Sequence, residues 1–136
     1  MASSLSNADP SRSATLQTGS RDKAQRMAGV RLKLFVGEAA IGIGQIDLLD
    51  CIGQTGSLAL AAARMNMDES RAESLLALTS AGFLHPLVAP TSKGERALEL
   101  TAVGAALIVR YRAQDSHIQT LSAELKDWLT AQQASQ

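Results

Sequence analysis

The chain has 136 residues, of which 46% are hydrophobic and only 3% aromatic, so its length allows one domain with an aliphatic core. Thirteen basic and thirteen acidic residues cancel, and the whole-chain charge therefore gives no argument for a polyanionic partner. The single cysteine, Cys51, cannot form an internal disulfide and is expected to be a buried small hydrophobe. No apolar run is long enough for a membrane span or a signal peptide, so we expect a cytoplasmic protein without a membrane partner.

The charges are unevenly distributed along the chain. Residues 1–36 contain six basic and two acidic residues, whereas residues 45–101 contain four basic and seven acidic residues. Residues 1–29 are rich in Ser, Ala, Arg and Thr and show no sustained apolar period, which predicts a disordered basic arm. A domain is therefore expected from residue 30 onwards.

The next segments predict a strand followed by three helices. Residues 30–36 alternate between apolar and polar side chains, as a strand with one solvated face does, and a glycine-punctuated loop follows. Helices are predicted over residues 45–53, over 58–65 with Ser57 as N-cap, and from an Asp68 cap to about residue 81. Asn66 suits the left-handed exit of the second helix. Two short helices joined by so tight a turn predict a helix-turn-helix, in which small alanines allow close crossing.

A wing and a long helix are predicted after the third helix. Strand candidates at residues 84–89 and 97–100 flank a polar stretch with Gly94 near its tip, which is typical of a β wing. Thr101 then caps a long last helix, and residues 102–136 are assigned to this linker and dimerisation helix and a tail. The helix has a heptad seam for a homodimer interface: Leu107, Tyr111, Gln114, Ile118, Leu121, Leu125 and Trp128. The alternative is that this stripe packs on the core of its own domain. The predicted class is mainly α with a small β wing, and residues 30–101 form the winged helix-turn-helix domain.

Several motifs, in order, resemble the DNA-binding domain of ModE-type regulators. They are Ile46-Asp47-Leu48-Leu49, Thr55-Gly56-Ser57-Leu58, Ala61-Ala62-Ala63-Arg64, Met67, Arg71-Ala72, Pro86-Leu87-Val88, Leu100-Thr101, Gly104, Leu107 and Tyr111-Arg112. The motifs from Leu100-Thr101 to Tyr111-Arg112, at the entry to the final helix, form a pattern shared with LysR-type regulators. The resemblance covers about residues 30–112. It implies a winged helix-turn-helix that binds double-stranded DNA in transcription regulation, here as a stand-alone domain.

The chain also departs from the ModE-type pattern. Where the family has a Ser-Tyr-Arg or Ser-Tyr-Lys run ending in Ala-Trp, this chain reads Asp68-Glu69-Ser70-Arg71-Ala72-Glu73, so three carboxylates enter the presumed recognition helix. The wing is shortened to residues 91–96. Molybdate-binding domains have no counterpart after Trp128, so no cofactor is expected.

The resemblance implies which side chains contact DNA, because the third helix of such domains enters the major groove. The residues expected to contact base edges are Glu69, Ser70, Arg71 and Ser74. Those expected to contact phosphates are Ser57, Lys93 and Arg96. Arg71 is the candidate guanine reader. Two functions stay open: a homodimeric, sequence-specific transcription regulator, and a degenerate winged helix that has lost DNA binding and mediates protein–protein interaction.

Catalysis is not expected. His85 and His117 are the only histidines, and neither has a cysteine or carboxylate at metal-ligand spacing. No Ser-His-acid arrangement can be assembled from them. We therefore predict a protein that is not an enzyme and binds no metal.

Overall fold

The computed structural model describes residues 28–134, so residues 1–27 of the predicted basic arm lie outside the described part of the chain. In chain order the elements are β1 (Leu34–Val36), β2 (Ala39–Ile41), α1 (Ile43–Thr55), α2 (Leu58–Arg64), α3 (Glu69–Ser80), β3 (Val88–Pro90), β4 (Leu98–Leu100), α4 (Ala102–Leu121) and α5 (Ala123–Ala134). Val30–Ala123 form one compact unit. Nearly all of α5 belongs to a separate unit and is described by itself.

The compact unit is a winged helix-turn-helix, as predicted. Helices α1, α2 and α3 pack against one another, and β3 pairs antiparallel with β4 to form the wing. An isolated antiparallel bridge between Ser57 and Ala97 joins the α1–α2 turn to the wing. The fold is therefore mainly helical with a small β component, and the wing is attached to the helical part at its root.

Ser57 and Thr101 cap the helices that follow them, as predicted, whereas Asp68 stands at the N-cap position of α3 without a side-chain capping hydrogen bond. The Ser57 hydroxyl accepts a hydrogen bond from the Leu60 amide at 2.9 Å, and the Thr101 hydroxyl accepts one from the Gly104 amide at 3.1 Å. Asn66 takes the predicted left-handed conformation, with φ of 59°. These local bonds satisfy amides that a helix leaves unpaired at its start, which is why they are readable from sequence.

The first hairpin differs from the prediction of one long strand and a loop. Only Leu34–Val36 form β1, and Ala39–Ile41, expected to lie in the loop, form its antiparallel partner β2. Gly37 has a φ of +60°, which a glycine adopts without strain, so the chain can reverse within two residues. Ala39 and Ile41 are then buried. A strand of three residues is too short to show a period, so the residue pattern does not predict β2.

Two clusters of buried side chains form the core. The first joins the hairpin, α1 and α4 and contains Ile41, Ile46, Leu49, Leu87, Ile108 and Tyr111. The second lies between α1, α2 and α3 and contains Leu48, Ile52, Ala61, Ala62 and Ala72. The three alanines are almost completely buried, so α2 and α3 approach closely, as expected from their small side chains. Cys51 is half-buried against the second cluster, and burial raises the pKa of its thiol.

Helix α4 belongs to the domain core rather than to a separate linker. Tyr111 is 2% exposed, and its hydroxyl donates to the Leu32 carbonyl. Gly104 lies so close to the Leu87 backbone that a Cβ there would overlap the Leu87 carbonyl oxygen. The predicted placement of Tyr111 in a dimer interface is therefore wrong, because the first half of the heptad stripe faces its own domain. The predicted domain boundary after residue 101 does not separate two units, because the compact unit continues to Ala123.

The predicted single long helix is interrupted. The backbone at Ser122 leaves helical geometry after α4, and α5 begins at Ala123. Along the predicted seam, Leu107 and Ile118 are half-buried, Gln114 is exposed, and Leu121 is 73% exposed, while Leu125 and Trp128 lie on α5. The stripe thus passes from the core to the surface along α4, because α4 extends past the elements that cover its first turns.

Candidate nucleic-acid interface

The candidate interface is formed by the start of α2, the first turns of α3 and the wing. The Leu98 amide donates to the Gly56 carbonyl at 2.8 Å, beside the bridge between Ser57 and Ala97. Gly56 ends α1 in the left-handed conformation, with φ of +78°. These contacts fix the root of the wing to the turn between α1 and α2, so the wing and the helices present one continuous surface.

A groove of about 460 Å³ lies between these elements. It is lined by Ser57, Leu58, Ala59, Glu69, Pro90, Thr91, Glu95, Arg96, Ala97 and Leu98. The structure therefore brings three of the predicted contact residues, Ser57, Glu69 and Arg96, into one place. The Ser57 oxygen is occupied by the Leu60 amide, which leaves the hydroxyl hydrogen able to donate to a phosphate.

The outer face of α3 carries the other predicted base-contacting residues. Ser70, Arg71 and Ser74 are exposed, while Ala72 on the opposite side of the helix is buried. Within residues 28–134, Arg71 forms no salt bridge. Its guanidinium is thus available to an external ligand on an exposed helix face.

Glu69 and Arg96 form an ion pair across the groove, which the sequence analysis did not predict. The Arg96 guanidinium donates to the Glu69 carboxylate and joins the start of α3 to the end of the wing turn. The two residues had been assigned separate DNA contacts, to a base and to a phosphate. In the structure each is the other's partner, so neither charge is free on this surface.

Lys93 lies at the exposed tip of the wing. Its backbone amide donates to the Thr91 hydroxyl at 3.2 Å, and the Ala97 amide closes the turn on the Gly94 carbonyl at 3.2 Å. The side chain of Lys93 is therefore presented to solvent by an ordered turn. This placement suits a contact with a phosphate group.

Two of the acidic residues that weigh against DNA binding share one arginine partner, which offsets one of their two negative charges. The Arg112 guanidinium on α4 donates to Asp47 and to Asp50 on α1, at 3.0 Å in each case. Burial raises the pKa of Asp47, and the hydrogen bond from Arg112 opposes that rise. For Arg112 itself, burial lowers the pKa, but the bonds to both carboxylates outweigh it and the net shift is upward. The charge count over residues 45–101 overstated the acidity of the interface, since it ended before Arg112.

Comparison with known proteins gives matches among solved structures. No family model matches the chain, and no curated protein matches it. A solved structure described as the crystal structure of a CbnR_DBD–DNA complex is similar, with 22% sequence identity and a TM-score of 0.47. The match covers 68% of this chain and 97% of the other. The fold assignment rests on the helices, turn and wing described above.

Between residues 28 and 134, no helix has both the length and the apolar character needed to cross a membrane. Over the same residues, no three His, Cys, Asp or Glu side chains come together as a metal site would require.

Proposed function

We infer that the protein is a sequence-specific DNA-binding transcription regulator of the ModE-like type that acts as a homodimer. The observation that carries this proposal is the exposed face of α3, which presents Ser70, Arg71 and Ser74, with Arg71 forming no salt bridge among the described residues. In a winged helix this face enters the major groove. Arg71 would contact a base and Lys93 a phosphate from the same surface.

The proposed contacts follow from the chemistry of these side chains. Arg71 would bind guanine O6 and N7 through two guanidinium hydrogen bonds, the commonest specific contact in the major groove. The hydroxyls of Ser70 and Ser74 can donate to or accept from a base edge. Lys93 and the Ser57 hydroxyl would hold phosphates and set the register of the helix on the duplex.

The homodimer proposal concerns the second half of the α4 stripe. Leu121 is 73% exposed, and Ile118 is half-buried three residues before it. An exposed leucine on a helix that extends past its core loses contact with water when a second copy covers it. Dimerisation would double the number of DNA contacts and would bind two half-sites related by a two-fold axis.

Protein–protein interaction without DNA binding is the second candidate. It is favoured by the ion pair between Glu69 and Arg96, which removes two predicted DNA contacts.

Selection from a random duplex library at about 150 mM salt, near physiological screening, distinguishes the two functions. A regulator should enrich one motif with two-fold symmetry. As a matched control, a variant with the family-like substitutions Glu69→Tyr, Ser70→Arg and Glu73→Trp is selected in parallel. If the natural chain enriches no motif while this variant does, the protein-interaction function replaces the proposal.

A further inference from the structure

The ion pair between Glu69 and Arg96 occupies the position where the wing is expected to hold a phosphate. Glu69 is the first residue of α3, and Arg96 ends the turn of the wing, 27 residues later. The Arg96 side chain is 72% exposed and that of Glu69 is 38% exposed. The arginine is thus accessible from solution, but its guanidinium already has an anionic partner.

The backbone of Arg96 adds a second, independent observation. Its φ is 63°, in the left-handed region that residues with a Cβ seldom adopt and that glycine adopts readily. The turn is closed by bonds from the Ala97 amide to Gly94 and from the Thr91 amide to Ala97. An arginine is therefore held where glycine would be relaxed, and unfavourable residues of this kind concentrate at functional sites.

A carboxylate and a phosphate bind a guanidinium in the same bidentate or single-bond manner. We propose that Glu69 is an internal competitor of the DNA phosphate for Arg96, so that the wing arginine engages DNA only when Glu69 obtains another partner. This inference rests on the proposed DNA-binding function. The major groove offers one such partner, because the N4 amine of cytosine donates to a carboxylate.

The competition makes binding depend on sequence. On a duplex without a suitably placed cytosine, Glu69 keeps Arg96, and the complex lacks one phosphate contact. On a matching site, Glu69 accepts from the base and Arg96 is released to the backbone. Non-specific binding derives almost entirely from phosphate contacts. Withholding one of them lowers non-specific affinity while leaving the specific complex complete.

The test measures the affinity of the full chain for a random-sequence duplex by fluorescence anisotropy between 50 and 200 mM salt. The variants are Glu69→Gln, Arg96→Gln and the double variant. Glu69→Gln should bind more tightly than the natural chain and lose about threefold more affinity across this salt range, as one added phosphate contact requires. Arg96→Gln should change the salt dependence of the natural chain little. In the Glu69→Gln background, Arg96→Gln should remove the added salt dependence.

Glu73→Gln is the matched control, because Glu73 is an exposed carboxylate one turn further along α3 and forms no salt bridge within residues 28–134. It removes the same charge from the same helix without releasing Arg96. The effect of Arg96→Gln should therefore be the same with or without Glu73→Gln. Circular dichroism verifies that every variant is folded.

The outcomes separate the inference from the function on which it rests. If the natural chain binds the duplex and Arg96→Gln has equal effects with and without Glu69→Gln, the competition is refuted and DNA binding stands. If neither the natural chain nor Glu69→Gln binds at 50 mM salt, the proposed function fails and the inference fails with it.

Discussion

The side-chain amide of Gln45 donates to the Thr79 hydroxyl oxygen at 3.1 Å and thereby joins α1 to α3 behind the candidate interface. The same amide nitrogen donates to the Ala40 carbonyl at 2.7 Å, while the amide oxygen accepts from the Gly42 amide at 2.9 Å. Thr79 is 1% exposed. One side chain thus satisfies polar groups on β2, at the N-cap of α1 and on α3, and it fixes the C-terminal half of α3.

Gln45→Glu should destabilise the domain by about 2–3 kcal/mol near neutral pH, because an acceptor oxygen would replace the nitrogen that donates to Ala40 and Thr79. The two acceptor oxygens facing the new carboxyl raise its pKa in the folded state, and its protonation restores one donor, so the loss should shrink as the pH falls through that raised pKa and be smallest below about 4. Urea denaturation at several pH values measures this. Thr79→Val, which keeps the shape but removes the hydroxyl, is the control and should cost less. Equal stability of Gln45→Glu and the natural chain at neutral pH would contradict the assigned bonds.

Arg112→Gln should cost about 1 kcal/mol near neutral pH, a modest value because all three charged side chains are at least a third exposed. Burial already raises the pKa of Asp47, and losing the hydrogen bond from Arg112 should raise it further. A carboxyl whose pKa is raised by folding contributes stability below its unfolded pKa and loses it as the pH rises through the folded pKa. The loss of stability caused by Arg112→Gln should therefore become smaller as the pH falls. Arg110→Gln, an exposed neighbour on α4, should show no such pH dependence.

Leu121→Asp should convert a homodimer into monomers, because the new carboxylate would be buried against the partner's apolar surface. Val109→Asp is the matched control: Val109 is 67% exposed and lies about a third of a turn away from Leu121 around α4. Analytical ultracentrifugation at micromolar concentration reports the mass. A monomeric natural chain would remove the dimer proposal, and dissociation by Val109→Asp alone would move the interface to the other face.

Arg71→Ala should lower affinity for the selected site by about 1–3 kcal/mol and leave binding to random duplex nearly unchanged. Arg110→Ala removes an equal charge from α4, outside the candidate interface, and should lower neither. Titration of both duplexes with each variant gives the two affinities. A loss of the same size on both duplexes would mean that Arg71 contacts phosphate rather than a base.

The sequence was most informative where structure is local. The caps at Ser57 and Thr101 and the turn at Asn66 involve residues within a few positions of each other, and all three were predicted. For the apolar side of α4 two interpretations stayed open, a dimer interface and the domain's own core, because a heptad pattern identifies an apolar stripe without saying what covers it. Tyr111 is buried by Leu32 and its neighbours, which are far away in sequence.

The candidate site shows the same limit. Position on α3 sufficed to identify Ser70, Arg71 and Ser74 as exposed, since Ala72 marks the buried side. The pairing of Glu69 with Arg96 depends on how the wing turn folds back towards α3, across 27 residues. The available signal was a carboxylate at the start of α3 and an arginine at the end of a short wing. The two residues were interpreted separately.

The packing of Tyr111 and Gly104 against the rest of the domain bears on how far apart two DNA half-sites would have to lie. Because α4 is packed into the core up to its middle, no hinge separates the reading helix from the helix proposed to join two copies. The distance between the two α3 helices of a dimer would then be a constant of the assembly. Such a protein would tolerate base changes within a half-site better than the insertion of a few base pairs between half-sites, since each added pair also rotates one half-site around the duplex axis.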